Sequence, residues 1–182
     1  MSYIFRRFNP ESDALSSFDC GNSDLNDFLH ESSSQSPNAT LYEREHLSVT
    51  YIVEDKLSGK VMAYFSLLND KIDRDASNPT LWNRLSRQIP NAKRRSSYPA
   101  LKIGRLAVCK DKQGCGLGRD ILTFLQVWFF LHAPSGCRFL TVDALRDAVA
   151  FYQKNDFNQL VAPDPEDETV LMFFDLKEIS RT

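Results

Sequence analysis

Six residues, Gln113-Gly114-Cys115-Gly116-Leu117-Gly118, carry the clearest chemical signal in the sequence. They lie between one apolar run, Leu101–Cys109, and a second that opens at Gly118. A helix starting there presents N–H groups with no partner inside the helix, at the positive end of its dipole. Glycines let a phosphate approach such N–H groups closely. The pattern suits a phosphate or diphosphate held by backbone, with Lys112 and Arg119 placed to add charge-assisted contacts.

Three nucleotide patterns compete for such a loop. A P-loop needs Lys and then Ser or Thr after its last glycine, but Gly118 is followed by Arg119 and Asp120. A dinucleotide fingerprint follows the first strand directly, whereas these glycines come late and several residues after the apolar run ends. Coenzyme A is the third. The reading that asks for no ligand is a tight turn feeding a helix.

The flanking elements must hold this loop. A strand is expected at Leu101–Cys109 and a helix from about Gly118 to Leu131, stopping before Pro134 and Gly136. The apolar helix end "FLQVWFF" would face a sheet. Upstream, "YIFRRF" reads as an opening strand, and Asn22 or Ser23 as the cap of a helix carrying Leu25, Phe28 and Leu29. "SSSQSPNAT" reads as a polar loop. Val49, Tyr51 and Val53 alternate, as do Val61, Ala63 and Phe65, giving two strands around a turn at Ser58-Gly59. "TLWNRLSRQI" suggests one short helix. "CRFLTVDAL" and "TVLMFFDL" read as strands, and "RDAVAFYQKNDF" as a short helix with its exit. This order predicts a single α/β (mixed α+β) domain over residues 1–182. Its centre is a mostly antiparallel twisted sheet flanked by helices, with a less regular basic insertion at about 70–100.

Composition sets bounds on function. A chain of 182 residues with net charge −2 can bury a proper core, and its bulk charge selects no nucleic-acid partner. No apolar run approaches membrane-spanning length and no signal-peptide core opens the chain, so a soluble cytoplasmic protein is expected. Cys20, Cys109, Cys115 and Cys137 form no CxxC pair, and His30, His46 and His132 are scattered, which argues against a zinc or other metal site. Charge is polarised, however. Basic residues dominate from Lys71 to Arg105, including Lys93, Arg94 and Arg95, while Asp164, Glu166, Asp167 and Glu168 cluster later. The basic stretch suits RNA phosphates, the 3′-phosphate of coenzyme A, or plain solvation.

The segment "GRLAVCKDKQGCGLGRDIL" resembles the acetyl-CoA signature of the GCN5-related N-acetyltransferases, in which Gln113, Gly116 and Gly118 occupy the fixed places. "VDALRDAVAFYQKNDF" is similar to that family's later strand and helix, with Tyr152 at the position of a general acid. "FDCGNSDLNDFL" and "YPALKIGRLAV" resemble a narrower branch of toxins that acetylate aminoacyl-tRNA. One departure is Asp156 before Phe157, where the family usually has glycine.

The resemblance implies an acyl-CoA N-acyltransferase fold with a splayed strand pair. It implies backbone contacts to acetyl-CoA from Leu106, Ala107 and Val108. A diphosphate cradle would comprise Gln113, Gly114, Cys115, Gly116, Leu117, Gly118 and Arg119, and Tyr152 would protonate the departing thiolate. Read without the resemblance, Tyr152 is a half-buried core tyrosine. No residue pattern declares a general base; Glu43, Glu45 and His46 precede the first hairpin strand. The acceptor expected first is the primary amine of a small metabolite or peptide, and next the α-amine of aminoacyl-tRNA. A non-catalytic acyl-CoA-binding module is the remaining alternative. A homodimer is the default for small enzymes of this kind, and the toxin-like branch implies an antitoxin-like protein partner.

Overall fold

The computed structural model describes residues 3–13, 15, 17–30, 38–74, 79–89, 96–132, 135–161 and 164–181. In chain order the elements are β1 (Tyr3–Arg7), α1 (Ser23–Leu29), α2 (Ala39–Arg44), β2 (Val49–Asp55), β3 (Val61–Asp73), α3 (Pro79–Arg87) and β4 (Ser97–Val108). Then follow α4 (Leu117–His132), β5 (Phe139–Leu145), α5 (Val149–Gln153), β6 (Asn158–Gln159) and β7 (Thr169–Asp175). The strands hydrogen-bond in the order β1-β2-β3-β4-β5-β7-β6. β4 pairs with β5 in parallel, while β1–β2, β2–β3, β5–β7 and β6–β7 are antiparallel. The expected mostly antiparallel sheet with helices is therefore present. The chain divides into two compact units, Met1–Leu68 with Ile103–Ile121 and Asn69–Lys102 with Leu122–Thr182.

In the first unit, Asn22 caps α1 by accepting a hydrogen bond from Leu25 N at 3.1 Å. That cap commits Phe28 and Leu29 to the core, where the Phe28 ring stacks on Tyr64 at 6.2 Å between centroids. Tyr64 lies opposite Ile52 in the β2–β3 register and donates its hydroxyl hydrogen to Leu25 O at 2.6 Å. β3 is buried on both faces from Met62 to Leu67, so the alternation of Val61, Ala63 and Phe65 identifies only one of two buried faces. The helix α2 replaces the end of the expected polar loop, because Asn38 accepts from Leu41 N at 2.8 Å and caps it. The rest of that loop, residues 32–37, lies outside the described residues.

In the second unit, α3 occupies the expected "TLWNRLSRQI" and buries Trp82 and Leu85. Trp82 stacks on Tyr98 at 5.0 Å, and Tyr98 packs toward Phe139. The stretch expected to be a basic insertion thus carries its own apolar anchor, although Lys93, Arg94 and Arg95 lie outside the described residues. β4 starts at Ser97 rather than Leu101, because Pro99 near the start of a strand does not end it. Ile121, Leu122 and Leu125 of α4 are buried, but Val127, Phe130 and Leu131 are exposed, so the apolar helix end does not turn wholly inward. Among the described residues, no helix is long and apolar enough to cross a membrane.

The exit of α5 holds Asp156 at φ +66°, with Asp156 N donating to Gln153 O and Phe157 N to Tyr152 O, each at 3.1 Å. Positive φ costs an L-residue about 1 kcal/mol, and less for Asp than for most. Asp156→Gly removes that strain but adds freedom to the unfolded chain, which offsets part of the gain. A rise in Tm of about 2 °C is expected by calorimetry.

Candidate active site

The glycine loop is built as an open cradle. A single 3-10 turn, Lys110–Lys112, ends β4, and Gly114 and Gly116 follow at φ +72° and +88°. A β-carbon at either glycine would meet nothing within 4 Å, so the protein leaves the space over them free. Among the described residues, the N–H groups from Gly114 to Arg119 donate to no backbone or side-chain acceptor; the next, Asp120 N, reaches Gly116 O at 3.0 Å. Leu117 is buried and pins the start of α4, while Cys115 and Arg119 are exposed. Open amides at a helix start are what an anion requires.

Two side chains hold this loop in place, and only one was legible as part of the site. Gln113 does not point into the cradle with its amide nitrogen. Its Nε2 donates to Cys20 O at 2.8 Å and to Val108 O at 2.9 Å, so Gln113 latches the loop to the end of β4 and to the Phe18–Asn22 segment. Asp19 completes that latch. Lys110 N donates to Asp19 O at 2.9 Å, and the Asp19 carboxylate accepts from Lys110 Nζ at 2.8 Å, Gly21 N at 2.8 Å and Asn26 Nδ2 at 3.0 Å. The Lys110 hydrogen bond, with those from Asn26 and Gly21, holds its carboxyl below the usual range, at about 2. The only sequence signal for Asp19 was the "FDCGNSDLNDFL" likeness, which names no role.

β4 alternates as expected: Ile103 and Ala107 are buried on one face, and Gly104 is exposed on the other. Its parallel ladder with β5 covers only Ala100–Lys102 against Phe139–Thr141. β4 then runs on to Val108, and no ladder to β5 involves Leu106, Ala107 or Val108. The last ladder pair is secured on both strands, since Lys102 Nζ pairs with Asp143 and Thr141 Oγ1 donates to Asp70. A Cβ at Gly104 would lie 2.6 Å from Leu68 Cδ2 and 3.1 Å from Ser66 Oγ, so a side chain there would require the ends of Leu68 and Ser66 to move.

A profile of the acetyltransferase (GNAT) family matches residues 19–157. The chain belongs to that family. It is an acetyl-CoA-dependent acetyltransferase. The GNAT chain is similar in structure to a tyrosine-to-phenylalanine mutant of KacT, with TM-score 0.78, 24% identity, and 100% of this chain and 99% of that one covered. It is similar to AtaT complexed with acetyl-methionyl-tRNAfMet, with TM-score 0.77, 25% identity, and 99% and 98% covered. A structure of an AtaT tyrosine-to-phenylalanine mutant bound to the C-terminus of the antitoxin AtaR and acetyl-CoA matches with TM-score 0.71, 24% identity, and 98% and 96% covered. No curated protein matches.

Tyr152 of the GNAT chain lies on α5 and is 5% exposed, its ring edge-on to Phe151 at 5.1 Å and to Phe157 at 5.4 Å. Its hydroxyl makes no hydrogen bond among the described residues. Burial pushes its phenol well above its ordinary value. Of the three residues considered as a base, Glu43 is engaged on both oxygens, by Arg7 Nε at 2.6 Å and Thr50 N at 3.3 Å. It ties α2 to β1 and β2. Glu45 and His46 are exposed at the end of α2. A separate cavity of about 900 Å³, bordered by Arg84, Gln126, Asp156 and Glu178, includes none of the residues read as binding acetyl-CoA.

Proposed function

We propose that this chain transfers the acetyl group of acetyl-CoA to the α-amine of an aminoacyl-tRNA, as the toxin of a toxin–antitoxin pair. The observation that carries this is the full-length likeness to AtaT, whose structure holds acetyl-methionyl-tRNAfMet, together with the likeness to KacT. The small metabolite or peptide amine expected first from the sequence gives way to charged tRNA. The commitment of Glu43 to a structural role supports the same choice. An α-amine, with a pKa near 8, is far less protonated at neutral pH than a lysine, near 10.4, and needs less help from a base. AtaT is also known bound to the C-terminus of AtaR, and a protein antitoxin is the partner we assign to this chain.

In this reading acetyl-CoA supplies an activated acetyl group. The amides from Gly114 to Arg119 hold its diphosphate, and the backbone of Leu106, Ala107 and Val108 aligns its arm and polarises the thioester oxygen. Val108 O is already taken by Gln113, so Val108 contributes through its N–H. The phenol of Tyr152, kept protonated by burial, holds the proton that the departing sulfur takes.

The decisive test mixes the full chain with acetyl-CoA and either charged tRNA or a panel of metabolite and peptide amines, following free thiol. Release that depends on charged tRNA is expected, and release only with other amines overturns the acceptor assignment. A second expectation concerns the latch. Gln113→Ala leaves the carbonyls of Cys20 and Val108 without their donor, at a cost of about 1–2 kcal/mol. Calorimetric titration should show acetyl-CoA affinity falling about tenfold.

A further inference from the structure

In the second unit the outer edge of the sheet ends in an open slot. β6 pairs with β7 only through Asn158↔Phe173 and Gln159↔Met172, so among the described residues Phe174 and Asp175 face no strand on that side. On their other side both are paired with β5. A cavity of about 900 Å³ occupies this place, near the top of the range for clefts that enclose a ligand, about 300–1,000 Å³. Phe173 and Phe174 are successive residues of a strand and point to opposite faces of the sheet. Both border the cavity, which therefore wraps the end of β7. Leu85 of α3 and Val127 of α4 add apolar wall. Val127 is 43% exposed, as is Phe130 one turn on, and Leu131 is 62% exposed.

The charges around the slot are unbalanced. Asp175 is taken by Arg138, which donates to both of its oxygens. The other charged side chains on the border are Asp156, Glu178 and Arg84, two acidic against one basic. Asp156 carries the clearest sign of a role. It stands at φ +66°, where glycine would sit without strain, yet the chain keeps a carboxylate there. Among the described residues that carboxylate has no hydrogen-bond or ion-pair partner. The acidic excess repels the phosphates of a nucleic acid and suits a basic group.

We infer that this slot receives an extended segment of a protein partner, laid beside the end of β7, with apolar side chains against Phe174 and Val127 and a Lys or Arg at Asp156. A strand added to a free edge takes affinity from main-chain hydrogen bonds and specificity from alternate side chains. The source of the segment rests on the protein antitoxin assigned above as the partner of this chain. A second copy of the chain fits less well. Its own β7 edge is recessed between the same two helices, and two recessed edges cannot meet.

The probe is a library of random dodecapeptides displayed on phage and panned against the full chain. Enriched sequences should place Lys or Arg beside alternating apolar residues, and the best of them is then made as a synthetic peptide. Asp156→Asn keeps the shape and the tolerance of positive φ but removes the charge. It should weaken peptide binding about tenfold. Val127→Arg, at an exposed helix position, should weaken it more than about 30-fold. Acetyl-CoA affinity should be unchanged in both variants, which shows that they are folded. No enrichment of basic sequences, or peptide binding indifferent to both substitutions, overturns the inference. So does displacement of the peptide by acetyl-CoA or by uncharged tRNA, since the surface would then belong to the cofactor or to RNA. So does a dimer of the natural chain that Val127→Arg dissociates in sedimentation, which gives the face to a second copy. Inactivity of the unaltered chain on charged tRNA overturns the toxin reading itself, a result distinct from any of the peptide measurements.

Discussion

Gly116→Asn is expected to leave a folded protein that no longer binds acetyl-CoA. Gly116 stands at φ +88°, and asparagine is among the side chains that best tolerate positive φ. A β-carbon there meets no protein atom within 4 Å, so the substitution causes no clash in the free chain. Its cost to stability is the backbone strain alone, about 1 kcal/mol. The cost to binding is different in kind. The new side chain fills the space over amides that donate to nothing else, which is where the proposed cradle takes the diphosphate. Affinity for acetyl-CoA should fall at least about 100-fold, equivalent to about 2.7 kcal/mol. Titration calorimetry measures that loss, and thermal melting without ligand measures the strain. A variant that melts normally and still binds acetyl-CoA as tightly as the natural chain would remove the loop from the cofactor site. Gly114→Asn, at φ +72° and equally unobstructed, provides an independent replicate on the same cradle.

The cradle was legible because its physics is local. Glycines at a strand–helix junction mean open amides whatever surrounds them, and the sequence places them within one residue of where α4 begins. The strands and the α1 cap were legible for the same reason, since alternation and a capping Asn are short-range signals. What escaped depends on partners distant in sequence. Gln113 was read for the cofactor from its place in the motif, and the bond of its Nε2 to Cys20 O, 93 positions away, had no local sign. Asp19 carries no local mark of its bond to Lys110, 91 positions on. Glu43 read as a candidate base, yet Arg7 occupies it from β1. α2 was hidden because "SSSQSPNAT" is dominated by polar residues, and the Asn38 cap sits near its end. The acceptor was the least legible feature, because no residue type or spacing in the chain declares it.

Tyr152→Phe should separate chemistry from binding. The ring stays packed against Phe151 and Phe157, and the deleted hydroxyl bonds to no described residue, so folding loses nothing from its removal. Acetyl-CoA affinity should remain within about twofold, because the diphosphate is assigned to amides of the glycine loop. Turnover should fall about 100- to 10,000-fold, the range for removal of a positioned general acid. The direction of the phenol's shift makes a further claim. Burial raises the folded-state pKa of Tyr152, so below about pH 10 the group is protonated in the folded and the unfolded chain alike and contributes no pH-dependent stability. Above that pH the unfolded chain ionises first, and stability is lost as pH rises toward the folded value. The phenylalanine variant lacks this loss. Melting curves of the two proteins should therefore coincide near neutrality and separate at alkaline pH, with the variant the more stable. A drop in kcat beside unchanged acetyl-CoA affinity and a coincident melt at pH 7 would assign the proton donor. Full turnover by the variant across the pH range would leave Tyr152 as a packing residue, and the thiolate would then take its proton from water.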